Sequence, residues 1–97
     1  MADDVLADRR LPAGVGLVRT TDTFTDESVP AGLRRAHRVA AGVWGRLVVL
    51  AGAVTYVEEG SGLDRTLGPG DAQVIAPDTA HHVEPAAGAR FHVEFHR

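Results

Sequence analysis

The sequence predicts an all-β fold, a sandwich or barrel of about eight short strands in a single domain. Short runs of branched and aromatic residues recur along the chain, and Gly, Pro and Asp separate them. The separating residues supply turn conformations that branched residues resist. No window combines sustained helical periodicity with capping residues. A chain of 97 residues is also short enough to form one domain.

The predicted strands follow a charged, non-periodic segment at the start of the chain. We interpret residues 1–12 as a flexible arm that orders against a partner, and residues 13–97 as the folded domain. Strands are predicted at 15–19, 32–40, 43–52, 53–59, 63–67, 72–76, 81–84 and 89–97. Turns are predicted at 58–62, 68–71, 76–79 and 85–89.

The last strand shows the clearest pattern. Its apolar residues Phe91, Val93 and Phe95 alternate with three polar ones. Strict alternation is typical of a half-buried strand with its apolar set facing the core. We interpret the polar set as solvated or interface residues on the other face; it consists of His92, Glu94 and His96.

The stretch "VWGRLVVLAG" (43–52) is apolar at both sets of alternating positions through Leu50. A strand covered on both sides, or one at a subunit interface, has this pattern. A domain this small also buries only part of its surface when it folds alone. We therefore expect a homodimer.

Composition excludes several classes of chemistry and of partner. The chain has no Cys, and all ten of its basic residues are Arg, which leaves no disulfide, no thiolate nucleophile and no Schiff-base lysine. A net charge of −3 without a basic stripe argues against a nucleic-acid partner. No apolar run approaches the ~20 residues of a membrane span, and the acidic start lacks the order of a signal peptide. We expect a cytoplasmic protein with no membrane partner.

The histidine-rich stretch "PDTAHHVEP" (77–85) stands in a pattern that resembles the cupins. In that pattern a strand ends at a turn glycine, here Gly52. A second turn, Pro69–Asp71, then leads through a short strand and a proline loop to a metal-binding histidine, here His81. The resemblance implies a double-stranded β-helix, the jelly-roll barrel of cupins.

The resemblance narrows to the small cupin domain of the tellurite-resistance TehB/YeaR-like family. It covers residues 15–97, with Ala80 standing where the family usually has tryptophan. The matching positions are His37, Gly42, Trp44, Leu47, Val49, Leu50, Gly52, Pro77, His81, Val83 and Glu84. The family implies a stress role of the tellurite-resistance type.

The candidate metal ligands are His37, His81 and Glu84. Imidazole and carboxylate ligands suit a divalent transition metal such as Zn, Fe, Ni or Mn. The glutamate of ordinary metal cupins corresponds here to Gly45, which leaves His37 as the first-motif ligand. Glu84 stands three residues after His81 and joins the set only through a bulge or bend, whereas His82 is expected to face away. The alternative is a hydrogen-bonded His37–His81 pair in a polar pocket.

Trp44 and Arg46 stand two positions apart and are the candidate ligand-pocket residues. A tryptophan beside an arginine can bind an anion or a flat molecule; packing of Trp44 in the core is the alternative. Three further arginines surround His37 and either attract an oxyanion or guard an edge strand. They are Arg34, Arg35 and Arg38.

Together these observations predict a small cupin that binds a divalent metal and a small anionic or oxidised ligand, in a tellurite or oxidative stress response as the resemblance suggests. One alternative is a metal-free binding module in which Trp44, Arg46, His37 and His81 hold the small molecule. Another is a metal-dependent oxygenase or isomerase. The sequence leaves enzymatic activity open.

Overall fold

The computed structural model describes residues 2–35 and 37–97, and its strands form two antiparallel sheets. The elements are α1 (Ala2–Ala7), β1 (Leu17–Thr20), β2 (Phe24–Thr25), a 3₁₀ helix (Ala31–Arg34), β3 (Trp44–Ala51), β4 (Val54–Glu58), β5 (Asp64–Leu67), β6 (Ala72–Ile75), β7 (His81–Pro85) and β8 (Arg90–His96). The prediction of a mainly β single domain is confirmed.

The larger sheet has the strand order β1-β8-β3-β6, with β2 also paired to β8, and the smaller has the order β5-β4-β7. Alternate residues of the two strands β3 and β4 face the space between the sheets. Leu47 and Val49 of β3 and Val54 and Tyr56 of β4 are fully buried there. Within the described residues the hydrogen-bonded ladders form two separate sheets, not the closed jelly-roll barrel that the sequence predicts.

The segment 32–40, predicted as a strand, instead contains the 3₁₀ helix and one isolated bridge at His37. Pro30 precedes the helix with φ −57°, a value that suits the entry to a helix. The amide of Leu33 donates to the carbonyl of Pro30 at 2.9 Å and closes the turn. The strand predicted at 32–40 is therefore not formed.

The start of the chain also differs from the predicted arm. Its described part forms helix α1, and Leu6 is 1% exposed in the core. The carbonyl of Leu6 accepts a hydrogen bond from the side-chain amide of Gln73 at 2.9 Å. Arg9, just after the helix, pairs with the buried Glu58. One apolar anchor and one ion pair thus fix a segment that is rich in charged residues.

No helix within the described residues is both long and apolar enough to cross a membrane.

Candidate functional site

A cavity of about 260 Å³ lies between the two sheets. Its walls are mainly apolar and include Leu47, Ile75, Val83, Phe91, Val93 and Phe95. Its polar lining comes from Arg19, Thr21, His37 and His81. Strand alternation turns His81 inward on β7, whereas Arg19 is an exposed residue of β1.

His37 and His81 lie directly opposite each other across the isolated bridge. The amide of His37 donates to the carbonyl of His81 at 2.7 Å, and the amide of His81 donates back at 2.9 Å. Residues paired in this way project their side chains to the same side. The two rings are nearly perpendicular, with centroids 5.3 Å apart. The structure therefore brings together the two histidines that the sequence selected, although His37 is not on a regular strand.

His81 is 3% exposed and has a hydrogen bond from one ring nitrogen only. Its Nδ1 lies 2.9 Å from the carbonyl oxygen of Thr79. Burial lowers the pKa of His81, with a smaller contribution from His37. His81 is consequently neutral near pH 7.

Glu84, the predicted third metal ligand, lies on the other face of the smaller sheet. The register between β4 and β7 runs without a shift from Val54–Pro85 to Glu58–His81, so β7 contains no bulge that could turn Glu84 inward. Its carboxylate lies 2.8 Å from Nε2 of His82. Strict alternation separates Glu84 from His81, so the structure does not bring the predicted third ligand beside the two histidines. The same alternation places His82 outside, as the sequence predicts.

The residues around the two imidazoles do not fit a three-ligand metal site. Among residues 2–35 and 37–97, no three His, Cys, Asp or Glu side chains are arranged to hold a metal ion. Gly45, at the position of the cupin glutamate, faces the core. A Cβ at Gly45 would lie 3.3 Å from Cβ of Ile75 and 3.5 Å from Cγ2 of Val39. These side chains fill the space that a third ligand would need.

Trp44 and Arg46 do not line the cavity, because they lie on the outer face of the larger sheet. Their neighbours Gly45 and Leu47 on β3 point inward. Arg46 pairs with Glu94, with Nη1 3.2 Å from Oε1. Burial tends to raise the pKa of Glu94, but hydrogen bonds from His96 and Arg46 lower it below its ordinary value. The structure therefore does not bring Trp44 and Arg46 into one pocket with the two histidines.

The three arginines of the segment 34–38 are exposed, and two of them form polar contacts with neighbouring residues. Arg34 donates to the carbonyl of Asp26, and Nη1 of Arg38 lies 3.3 Å from a carboxylate oxygen of Asp78. Arg35 is exposed. Within the described chain it is Arg19 that lines the cavity, with its guanidinium 5.5 Å from the ring centroid of Phe95. Sequence reasoning missed Arg19 because its pairing with Phe95 across β1 and β8 is long-range.

Glu58 forms a buried polar network that sequence reasoning also missed. It is 4% exposed and receives hydrogen bonds from Arg9, from the hydroxyl of Tyr56 at 2.9 Å and from Ser61 at 3.3 Å. Burial tends to raise the pKa of Glu58, but the bonds from Arg9 and Tyr56 bring it below its ordinary value. Burial also raises the pKa of Tyr56 far above its ordinary value. The sequence signal that could have identified this network is the period-two spacing from Val54, because it places Tyr56 and Glu58 on the inner face.

The contribution of His82 to the free energy of unfolding is expected to fall as pH rises. Hydrogen bonds to Glu84 and Glu59 raise its pKa above the ordinary value. A raised pKa stabilises the fold below the unfolded value of ~6.5, and this contribution is lost as pH rises through the folded value. His82 and its two partners are solvent-accessible, so the effect is small. The Tm of the parent protein minus that of His82→Ala should fall by about 2–4 °C between pH 6 and pH 8. A constant difference across this range would contradict the prediction.

Two facing antiparallel sheets around an apolar cavity with paired imidazoles define a small cavity-containing β domain. Residues 19–93 match the TehB-like domain, which is more than half of the chain. The chain therefore belongs to the TehB-like domain family, and the resemblance found from the sequence motifs is confirmed.

Solved structures agree with this assignment. A crystal structure of a protein from Escherichia coli strain K12, a structural genomics target, is 25% identical with a TM-score of 0.83 and covers 92% of this chain and 96% of that one. The crystal structure of TehB from Haemophilus influenzae is 20% identical with a TM-score of 0.77. That match covers 84% of this chain but 31% of TehB, and it shows the fold alone. No curated protein sequence matches this chain.

Proposed function

We propose that this domain binds a small, mainly apolar molecule with a negatively charged group in the cavity between its sheets. The observation that carries the proposal is the lining, which combines apolar walls with a few polar side chains. Small-molecule sites have this composition. A volume of about 260 Å³ lies just below the range of roughly 300–1,000 Å³ for ligand pockets, so the occupant is small.

The position of Arg19 supports the proposal that the ligand carries a negative charge. Its guanidinium is permanently charged and is held against the ring of Phe95. In residues 2–35 and 37–97, none of the ion pairs includes Arg19. Arg19 is exposed to solvent, and a carboxylate or another oxyanion in the cavity would pair with it. A role of the tellurite-resistance type is the extension of this proposal that the family suggests.

A metal would need a different ligand set from the predicted one. The cavity offers His37 and His81, so the remaining ligands would come from the bound molecule or from solvent. Elemental analysis of protein purified without an affinity tag tests this form of the metal hypothesis. It also tests the oxygenase or isomerase alternative, because both need a stoichiometric metal.

The test of the proposed function is calorimetric titration with a panel of small carboxylates. Arg19→Gln is expected to weaken binding of the best of them about tenfold, because it removes a charge-assisted hydrogen bond. The matched control is Arg90→Gln, which removes an exposed arginine of β8 that does not line the cavity. The control is expected to bind as the parent does. Equal losses from both variants, or no binding by any acid, would contradict the proposal.

We also propose that the domain is a homodimer that associates through the larger sheet. The outer face and edge of that sheet expose Leu17 at 60%, Val18 at 56% and Leu50 at 47%. Burial of such side chains in an isologous interface is favourable. Sedimentation velocity at micromolar concentration is expected to give a dimer, and Leu50→Glu to shift it towards monomer. A monomer for the parent protein would refute this prediction.

A further inference from the structure

The arginine and the histidines that line the cavity differ in the hydrogen bonds that they can form. The polar side chains that line it are Arg19, Thr21, His37 and His81. Arg19 only donates hydrogen bonds. A neutral imidazole donates from one nitrogen and accepts at the other, so the protonated nitrogen of His81 decides what that end of the cavity recognises.

The contact with Thr79 fixes the tautomer of His81. A backbone carbonyl oxygen can only accept a hydrogen bond, and Nδ1 of His81 lies 2.9 Å from it. Nδ1 must therefore carry the proton. The side chain is 3% exposed beside a second imidazole, an environment that disfavours the doubly protonated cation. Nε2 is then the nitrogen with the lone pair, and no group among residues 2–35 and 37–97 donates a hydrogen bond to it.

We propose that the cavity selects a small hydroxylated carboxylic acid, whose hydroxyl group donates to Nε2 of His81 while its carboxylate pairs with Arg19. This rests on the proposed function, because it assumes that an anionic molecule occupies the cavity. Nε2 is accessible from the cavity, and an acid that covers it without donating a hydrogen bond leaves it desolvated and unpaired. The phenylalanines of the lining, Phe24, Phe91 and Phe95, suit an aromatic body between the two polar groups.

The experiment compares three matched acids by calorimetry at pH 7.5: para-hydroxyphenylpropionate, phenylpropionate and para-methoxyphenylpropionate. The hydroxylated acid is expected to bind about threefold to tenfold more tightly than phenylpropionate, the range of one neutral hydrogen bond. The methoxy acid, which can only accept, is expected to show no such gain. His81→Phe should abolish the preference for the hydroxyl group and retain the effect of Arg19→Gln.

The outcomes separate the inference from the proposed function. If phenylpropionate binds and the hydroxyl group gives no gain, the inference is overturned and the proposed function stands. If no acid binds, both are overturned. Nitrogen-15 NMR of the parent protein tests the tautomer without any substitution and is expected to show the proton of His81 on Nδ1. A proton on Nε2 would overturn the inference even if His81→Phe does not fold.

Discussion

Gly52→Ala is expected to destabilise the fold by about 3–4 kcal/mol. Gly52 begins the tight turn between β3 and β4 with φ +68°, a left-handed conformation that costs a residue with a Cβ about 1–2 kcal/mol. The turn also has no space for a Cβ at this position. A Cβ there would lie 2.8 Å from Cα of Ala89 and 3.0 Å from its amide nitrogen. Both are backbone atoms that cannot rotate away, and overpacking of this kind adds about 1–3 kcal/mol.

Urea denaturation of Gly52→Ala and Gly70→Ala separates the two contributions. Gly70 also has a positive φ, +87°, but a Cβ at that position would meet no atom within 4 Å. Gly70→Ala is therefore expected to lose only the conformational part, about 1 kcal/mol. Because domains of this size are stable by only about 5–15 kcal/mol, the Gly52 variant should be visibly less stable at room temperature. Similar losses from the two variants would show that Ala89 does not crowd the turn.

The predicted strands agree with the structure where alternation and turn residues coincide. Phe91, Val93 and Phe95 alternate with polar residues, and β8 runs from Arg90 to His96 with these three on its inner face. The turn glycines and Pro69 bound β3, β5 and β6 in the same way. Local chemistry determined these boundaries, since a turn residue and a period-two pattern are both readable within a few positions.

The site was less predictable because two of its features depend on long-range contacts. The stretch 43–52 is apolar at both sets of positions, so alternation alone could not tell which set faces inward. In the structure Gly45, Leu47 and Val49 form the inward set, and a Cβ at Gly45 would be in tight contact with Ile75, 3.3 Å from its Cβ. That placement sends Trp44 and Arg46 outward. His37 and His81 were predictable from the motif match, but the carboxylate on their side of the sheet is Glu58, not Glu84.

Arg9→Met is expected to destabilise the fold by about 3 kcal/mol near pH 7. It removes the cation that faces Glu58, whose carboxylate is 4% exposed, and leaves Tyr56 and Ser61 as its remaining hydrogen-bond donors. Breaking a buried ion pair from one side typically costs about 3–5 kcal/mol. The side chain of Arg9 is itself 25% exposed, so the lower part of this range applies. Arg10→Met is the matched control, since Arg10 is exposed and donates only to backbone carbonyls; its effect should stay within about 0.5 kcal/mol.

The pH dependence of this loss identifies its cause. In the parent protein the lowered pKa of Glu58 adds stability above the unfolded value of ~4.3, and this stability is lost as pH falls through the lower folded value. Without Arg9, burial is expected to dominate and to raise the pKa of Glu58. The free energy of unfolding of the variant should then decrease as pH rises. The difference between parent and Arg9→Met in urea denaturation should therefore shrink as pH falls towards 4. The double variant Arg9→Met/Glu58→Leu should regain much of the loss, because it leaves no unpaired buried charge. A double variant as unstable as the sum of the two single variants would show that Arg9 acts through packing and not through its charge.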